Sequence, residues 1–309
     1  MEVFAEGAYP EDATRTAVTI GVYDGVHVGH RHVLQRLRET AAARGLRTAV
    51  VTFDPHPASI VAPERAPLLL TSVERRLELL AELGIDRCVV VGFDESVATE
   101  PPASFVERVL VDELHAAVVV VGEDFRFGHD RAGDVALLRA VAGSGGFDVE
   151  PVALDGAGGE PISSSRIRAL LADGDVAGAA ALLGRPHELE GTVVRGDGRG
   201  RALGYPTANL DVDADLVIPA IGIYAGTWTR PTGASATAAI SVGRRPTFYE
   251  DGELLVEAYL CDVDADLYGE RSRLAFVERL RGEQKFDTVD DLVAQITKDV
   301  DQSKALLAR

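Results

Sequence analysis

The sequence is poor in lysine: Lys285, Lys298 and Lys304 are the only three in 309 residues, and every other basic residue is arginine. A Walker P-loop needs a lysine directly after its glycines, so that class of kinase and ATPase is excluded from the first 284 residues. Cysteine is as scarce. Cys88 and Cys261 lie far apart, fit neither a disulfide framework nor a zinc site, and read as small buried hydrophobes. No stretch approaches the ~20 apolar residues of a membrane span, and the opening MEVFAEGAYPEDATR lacks the basic-then-apolar order of a leader. A cytoplasmic protein is expected. Positive charge is lacking too: 31 basic against 49 acidic residues give a formal net charge of −18. That argues against nucleic acid or a membrane as partner, so any phosphate must be held locally. Nothing in the sequence fixes an oligomeric state.

What is present suffices for two packed domains, with 46% hydrophobic residues over this length. In TAVTIGVYDGVHVGH, Thr16 to His30, an apolar run ends at Gly21 and a turn carries His27 and His30 into a helix-like segment. Such a strand, loop and helix start suits an anion, and two imidazoles add donors to a phosphate. From Arg31 the positions Val33, Leu34, Leu37 and Ala41 form a helical stripe that Gly45 stops; Leu46 to Phe53 reads as a buried strand. This is a βαβ unit, followed by the stiff turn FDPHP, Phe53 to Pro57. Thr71 with Glu74 predicts a capped helix over Val73 to Leu83, Ile85 to Phe93 a strand, Ala103 to His115 a helix and Ala117 to Gly122 a central strand. The loop GEDFRFGHDRAGD then offers Asp124, Phe125 and Phe127, where the aromatics are either core or the seat of a flat heteroaromatic ligand. Phe147 to Leu154 is a last strand. ISSSRIR, with Ser164, Ser165 and Arg166, opens a helix and reads either as an ordinary serine cap or as a polyphosphate site. Asp175 to Leu183 is a short helix that closes the unit, and LGRPH a linker.

Beyond Pro186 the pattern changes to short β-like runs, Leu189 to Val194, Gly222 to Thr229, Ala236 to Val242, Leu254 to Cys261 and Arg273 to Val277, as in an antiparallel barrel. A final helix from Thr288 buries Val289, Leu292, Val293, Ile296, Val300 and Leu307. Within Val193 to Leu210, four glycines with Arg195, Arg199 and Arg201 make either a plain hairpin loop or one that approaches phosphates. The turn YPTAN presents Thr207 and Asn209, neutral oxygens able to complete a magnesium shell. Glu257 on a strand is either a solvated carboxylate or a base.

GVYDGVHVGH, TFDPHP, VGEDFRFG and ISSSRIR, followed by GDGRGRALGYPTANL, GRRPTF, VEAYLCDVDADLYG and LRGEQKFDTVDDL, resemble in order and spacing the bacterial bifunctional riboflavin kinase/FAD synthetases. The resemblance implies a Rossmann-like α/β nucleotidyltransferase domain over 1–184, then an antiparallel β-barrel riboflavin kinase domain with a C-terminal helix over 185–309. It implies FMN made from riboflavin and ATP, then FAD from FMN and a second ATP, with Mg2+. By the same likeness the catalytic residues are His27 and His30, which bind the ATP phosphates and act at the α-phosphorus, and Arg166, which with Ser164 and Ser165 holds the outgoing pyrophosphate; Gly21, Asp24 and Gly29 lie at ATP, and Phe53, Asp124, Phe125 and Phe127 near the flavin. In the other half Gly196, Arg199, Gly200, Arg201 and Gly204 bind ATP, Thr207 and Asn209 the metal; Glu257 is the base and Arg281 is flavin-side. The chain departs from the family pattern at Val22 and Tyr23 (usually Asn-Phe), Ser165 (usually Thr) and Arg245 (commonly Asn). One retained activity, or a flavin-binding module without catalysis, are the rival readings; the second leaves a hydroxyl-directed base unexplained.

Overall fold

A computed structural model describes residues 1–10, 14–153, 162–196, 198–244 and 254–308, with Arg199 described by its backbone alone. Arg245 lies outside the described residues. The chain divides into two compact units, residues 1–68 with 72–163 and residues 69–71 with 164–309.

The first unit is a parallel sheet of β1 (Glu2–Ala5), β2 (Thr16–Ile20), β3 (Arg47–Asp54), β4 (Arg87–Gly92), β5 (Ala116–Gly122) and β6 (Asp148–Val152), ordered β1-β4-β3-β2-β5-β6. Its helices are α1 (Val28–Arg44), α2 (Pro57–Val61), α3 (Val73–Glu82), α4 (Glu95–Thr99), α5 (Pro102–Phe105) and α6 (Val135–Gly145). β2 is buried at all five positions, as a strand covered on both faces must be. From β2 the chain steps one way to β3 and β4, then crosses back to β5 on the other side. The order therefore reverses between β2 and β5, the place where open α/β sheets bind ligands at their carboxyl ends. Both the HVGH loop and the GEDFRFG loop leave the sheet there.

Gly45 stops α1 as expected, at φ 63° with its N–H on the Ala41 and Ala42 carbonyls. Elsewhere the structure corrects local readings. Ser72, not Thr71, caps α3, its Oγ accepting from the Arg75 N–H at 3.1 Å, because Thr71 is part of the extended segment that joins the second unit. The helix expected over Ala103 to His115 runs as α5 and then as a π-helix, Val106–Glu113, closed by the Leu114 N–H on the Val109 carbonyl at 3.1 Å. β1, α4 and α6 are additional elements. β1 is mostly exposed and α6 buries only Leu138, so neither carries a strong apolar pattern.

In the second unit β7 (His187–Val194), β8 (Thr207–Val212), β9 (Gly222–Thr229), β10 (Ser235–Arg244), β11 (Leu254–Leu260) and β12 (Arg271–Arg281) close an antiparallel barrel ordered β10-β11-β8-β7-β12-β9. With it go α7 (Ser164–Ala172), α8 (Val176–Leu183), α9 (Arg199–Ala202) and α10 (Val289–Leu307). Leu189, Tyr224, Trp228, Ile240, Leu274 and Phe276 fill the barrel, and Ile167, Leu171, Val176, Ala179 and Leu183 extend the same core. The α7–α8 pair is tied down further by the Ala220 N–H on the Leu171 carbonyl at 2.9 Å and by Arg279 Nη1 on the Asp173 carbonyl at 3.0 Å. The sequence pattern places these two helices at the close of the first domain; instead their apolar faces are buried in the core of the second unit. A short borrowed segment completes that unit: Leu69 N–H donates to Asp215 O (2.6 Å), Val217 N–H donates to Leu69 O (2.8 Å), and Leu70 is 2% exposed in the barrel core.

At the start of β7, His187 is buried and its Nε2–H donates to the Val217 carbonyl at 2.9 Å. Burial, with Arg185 nearby, pushes its pKa down to about 4 from 6.5. The unfolded chain therefore binds a proton at higher pH than the folded one, so this contribution is complete above pH 6.5 and is lost as pH falls towards 4. It is worth about 3 kcal/mol. Urea titrations of the full chain at pH 7 and pH 4.5 are expected to differ by less in His187→Gln than in the parent, because glutamine cannot titrate. Equal pH losses in both would contradict the assignment.

Candidate functional sites

The loop after β2 is held in an unusual backbone. Tyr23 (φ 54°), Gly25 (φ 79°) and Val26 (φ 40°) are left-handed, a region where a β-branched valine is strained. Gly21 N–H is fixed on Val51 O at 3.0 Å, and Tyr23 Oη on Thr19 Oγ1 at 2.7 Å. Burial raises the Tyr23 pKa far above its ordinary value, so the phenol stays protonated. Val22, the departure from the family pattern, acts through its backbone: its carbonyl accepts the Thr52 hydroxyl at 3.0 Å.

α1 begins inside HVGH rather than after it. His27 is the N-cap, and its Nδ1 accepts from the His30 backbone N–H at 3.2 Å, doing for the helix what a serine or aspartate oxygen usually does. With Nδ1 an acceptor, neutral His27 carries its proton on Nε2. The two imidazoles stack with centroids 3.6 Å apart at 15°, and the Tyr23 ring meets His30 edge-on at 5.0 Å. His30 is kept well below the ordinary histidine pKa, first by burial and then by His27 and Arg76, so it is neutral at physiological pH. Its Nδ1 is buried with no partner among the described residues, an orphan of the kind an oxygen-rich ligand satisfies. Gly29 packs its α-carbon side on the His27 ring, where a Cβ would stand at 3.2 Å, and Asp24 is buried in the same loop.

The aromatic candidates come together as well. Phe125 stacks on Phe127 (5.3 Å, 14°), Phe127 meets Phe105 (6.3 Å), Phe105 meets Phe53 (6.2 Å), and Phe53 meets Phe93 edge-on (5.7 Å). Phe53 and Phe127 are buried in the core, the first of the two alternatives, whereas Phe125 is half-exposed. Asp124 is exposed on the turn after β5. Ser164, Ser165 and Arg166 form the first turn of α7 in the second unit, Ser165 exposed and the others half-buried.

In the barrel, YPTAN is not the expected turn: from Thr207 it is β8. Ala208 and Leu210 point into the core, leaving Thr207 and Asn209 on the opposite face. β8 pairs with β11 in a register that sets Asn209 opposite Glu257 and Thr207 opposite Tyr259. Thr207, Asn209 and Glu257 thus share one wall of a cavity of ≈ 420 Å³, with Arg281, Phe286 and Ile296 among its other lining residues. The glycine loop closes on this wall. A Cβ on Gly196 would lie 2.3 Å from the Asn209 amide, and one on Gly200 2.3 Å from the Tyr205 carbonyl, so only glycine allows these approaches. The loop contains α9, a single turn unforeseen from its composition, and Gly198 and Gly204 flank it at φ 69° and 84°. Arg201 lines a second cavity of ≈ 390 Å³ that also touches Thr207.

β12 runs past its predicted end at Val277. Two irregularities in its pairing with β9, at Phe276/Glu278 and Arg279/Arg281, re-aim the strand and bring Arg281 to the cavity. Arg281 is gripped by the carboxylate of Asp299, with Nη2 2.7 Å from Oδ2, and Gln295 Nε2 supports Asp299 at 2.9 Å. Asp299 and Gln295, on α10, carry no mark in the sequence that separates them from the other polar residues of the helix. Val289, expected in that stripe, is 61% exposed, because the buried face of α10 begins a turn later at the cavity wall formed by Leu292, Ile296 and Val300. Thr288 caps the helix as expected, its Oγ1 accepting from the Asp291 N–H at 3.1 Å.

A family model described as FAD synthetase matches residues 9–166, and one described as riboflavin kinase matches residues 183–307. A bifunctional riboflavin kinase/FMN adenylyltransferase of Listeria monocytogenes is 37% identical over 293 residues, covering 94% of this chain and 92% of its own. The protein of that description from Escherichia coli K12 is 39% identical over 286 residues, covering 91% and 90%. A crystal structure from Streptococcus pneumoniae, described as a macrolide-efflux protein, superposes with TM-score 0.89 at 29% identity and covers 98% of this chain and 99% of its own. With both halves matched and the relatives spanned almost end to end, the chain belongs to the bifunctional riboflavin kinase/FMN adenylyltransferase family.

Proposed function

We propose a division of the family's two reactions among the residues of this chain. The chain is a riboflavin kinase and an FMN adenylyltransferase: it phosphorylates riboflavin with ATP to give FMN, then transfers an adenylyl group from a second ATP to FMN, releasing pyrophosphate. The observation that carries the kinase assignment is the β8–β11 register, which sets Glu257 beside Asn209 on a cavity wall. Glu257 takes the proton of the riboflavin 5′-hydroxyl, since a primary alcohol needs a base to attack phosphorus. Thr207 and Asn209 would hold Mg2+, their neutral oxygens suiting a hard cation whose remaining ligands are phosphate and water. When bound, Mg2+ neutralises charge on the transferring phosphates. The shared position of Thr207 between two cavities supports a flavin on the Arg281 side and ATP on the Arg201 side, with Gly196, Arg199, Gly200 and Gly204 about its phosphates.

FMN carries an ionised phosphate and needs no strong base, only alignment and charge stabilisation. His27 through Nε2–H, His30 and Arg166 supply donors, Gly21, Asp24, Gly29, Ser164 and Ser165 bind ATP, and Phe53, Asp124, Phe125 and Phe127 serve the flavin. The net charge of −18 supports small-molecule partners without nucleic acid, and a cytoplasmic setting suits them. No described helix is long and apolar enough to cross a membrane. Chromatography after incubation with riboflavin, ATP and magnesium is expected to give FMN first and FAD second; FMN alone, with added FMN unconverted, would contradict the adenylyl assignment.

The adenylyltransferase and kinase domains are assigned to 1–184 and 185–309 by function, whereas the barrel core takes side chains from α7 and α8. A fragment starting at Arg185 would expose Leu189 and its neighbours where those helices pack. It is expected to unfold at lower urea concentration than one starting at Ser164, by several kcal/mol, with kinase activity following the folded fraction. Equal midpoints would show the helices to be dispensable.

A further inference from the structure

Arg76 is 1% exposed on the buried face of α3, and a guanidinium cannot shed its charge to ease burial. Its Nη1 donates to Thr52 Oγ1 (3.1 Å) and to the Phe53 carbonyl (2.9 Å) at the carboxyl end of β3. Asp24 and Asp54 act on it electrostatically, against a burial that lowers its pKa. Its Nε–H has no partner among the described residues. The Thr52 hydroxyl passes the link on, donating to the Val22 carbonyl at 3.0 Å. A connected path therefore runs from α3 through the end of β3 into the loop that holds Tyr23 and Val26 in left-handed backbone and ends at the His27 cap. Such strain persists only where the surroundings over-determine it. A fixed charge placed on two β3 groups, one of them the relay hydroxyl, is more than docking α3 requires, since Leu79 and Leu80 already bury that helix.

We propose that Arg76 is a positioning residue for adenylyl transfer: through Thr52 it holds the strained loop from Val22 to Val26 in the shape that sets His27 and His30. This rests on the reading of HVGH as the adenylyl site. Arg76 touches no reacting atom in this account, and its effect is on the turnover of one reaction only.

The test measures kcat and KM for FMN adenylylation, and riboflavin phosphorylation as an internal control, in full-length Arg76→Met, Thr52→Val, the double variant and Arg76→Lys. Thr52→Val keeps shape while cutting the relay. Arg76→Met and Thr52→Val are each expected to lower adenylylation kcat by roughly 10-fold or more, with KM for FMN within about two-fold of the parent, since small misplacements of reacting groups are costly in rate. The double variant is expected to be no slower than the slower single one, because both break one path. Arg76→Lys, which keeps the charge and a donor nitrogen able to serve both acceptors, should recover most of the rate, and phosphorylation should be unchanged throughout. Multiplying effects in the double variant, or parental kcat in folded Thr52→Val with only the unfolding midpoint lowered, would overturn the proposal. Should Arg76→Met not fold, Thr52→Val decides alone by the same criterion. Failure of the underlying site reading is seen separately, as unaltered adenylylation in the His27 variants described below.

Discussion

Glu257→Gln is expected to lower riboflavin phosphorylation by roughly 10² to 10⁴, the usual worth of a general base. Glutamine keeps the size of the side chain and its place opposite Asn209, so the cavity wall should persist while its proton acceptor is lost. FMN adenylylation should hardly change, because its nucleophile is ionised before it binds. Supplied with riboflavin, the variant should therefore stall before FMN; supplied with FMN, it should make FAD at the parental rate. A kinase step within a few-fold of the parent would make Glu257 a solvated strand carboxylate and remove the assigned mechanism. Both activities must be read on the same cooperatively folded sample, each serving as the folding control for the other.

The reverse phenotype is expected at the HVGH loop. His27→Ala or His30→Ala removes a donor to phosphate charge that grows in the transition state, typically a loss of about 10² to 10³ in rate. Riboflavin should still be consumed and FMN should accumulate. His27 has a second task as the α1 cap, whose loss costs about 1 kcal/mol on its own. His27→Ser separates the two, since serine caps a helix well but does not reach as an imidazole does. Its stability should be near parental while adenylylation stays low. If His27→Ser adenylylates FMN like the parent, the imidazole is only a cap. His30 is neutral by burial, so the acid limb of adenylylation should not follow an ordinary histidine titration at this residue.

Much of this arrangement could be read from residue order. The β2 run, the stop at Gly45, the barrel and the Thr288 cap are written locally, in period and capping chemistry, and they fold as written. Motifs at sheet ends were legible because glycine and histidine have few other reasons to alternate there. β8 was hidden by Pro206 and by polar Thr207 and Asn209, although Ala208, Leu210 and Val212 carry the period of two. Asp299 could not be found, since its meaning depends on Arg281, brought to it by irregular pairing in β12. Nor could the grouping of α7 and α8 be read: a short amphipathic helix states that it has an apolar face but not which core receives it. Long-range partners of this kind carry no local signal.

The segment Leu69–Thr71 sets an order on synthesis. It leaves the ribosome well before Asp215 and Val217, the residues that pair with it, and at ~5–20 residues per second the wait is on the order of ten seconds. During that time the first unit can fold around it, but Leu70 has no core to enter. A nascent chain halted before the barrel therefore displays an apolar extended segment whose Leu69 N–H and carbonyl still await Asp215 and Val217, the kind of surface that chaperones hold and that proteases find first.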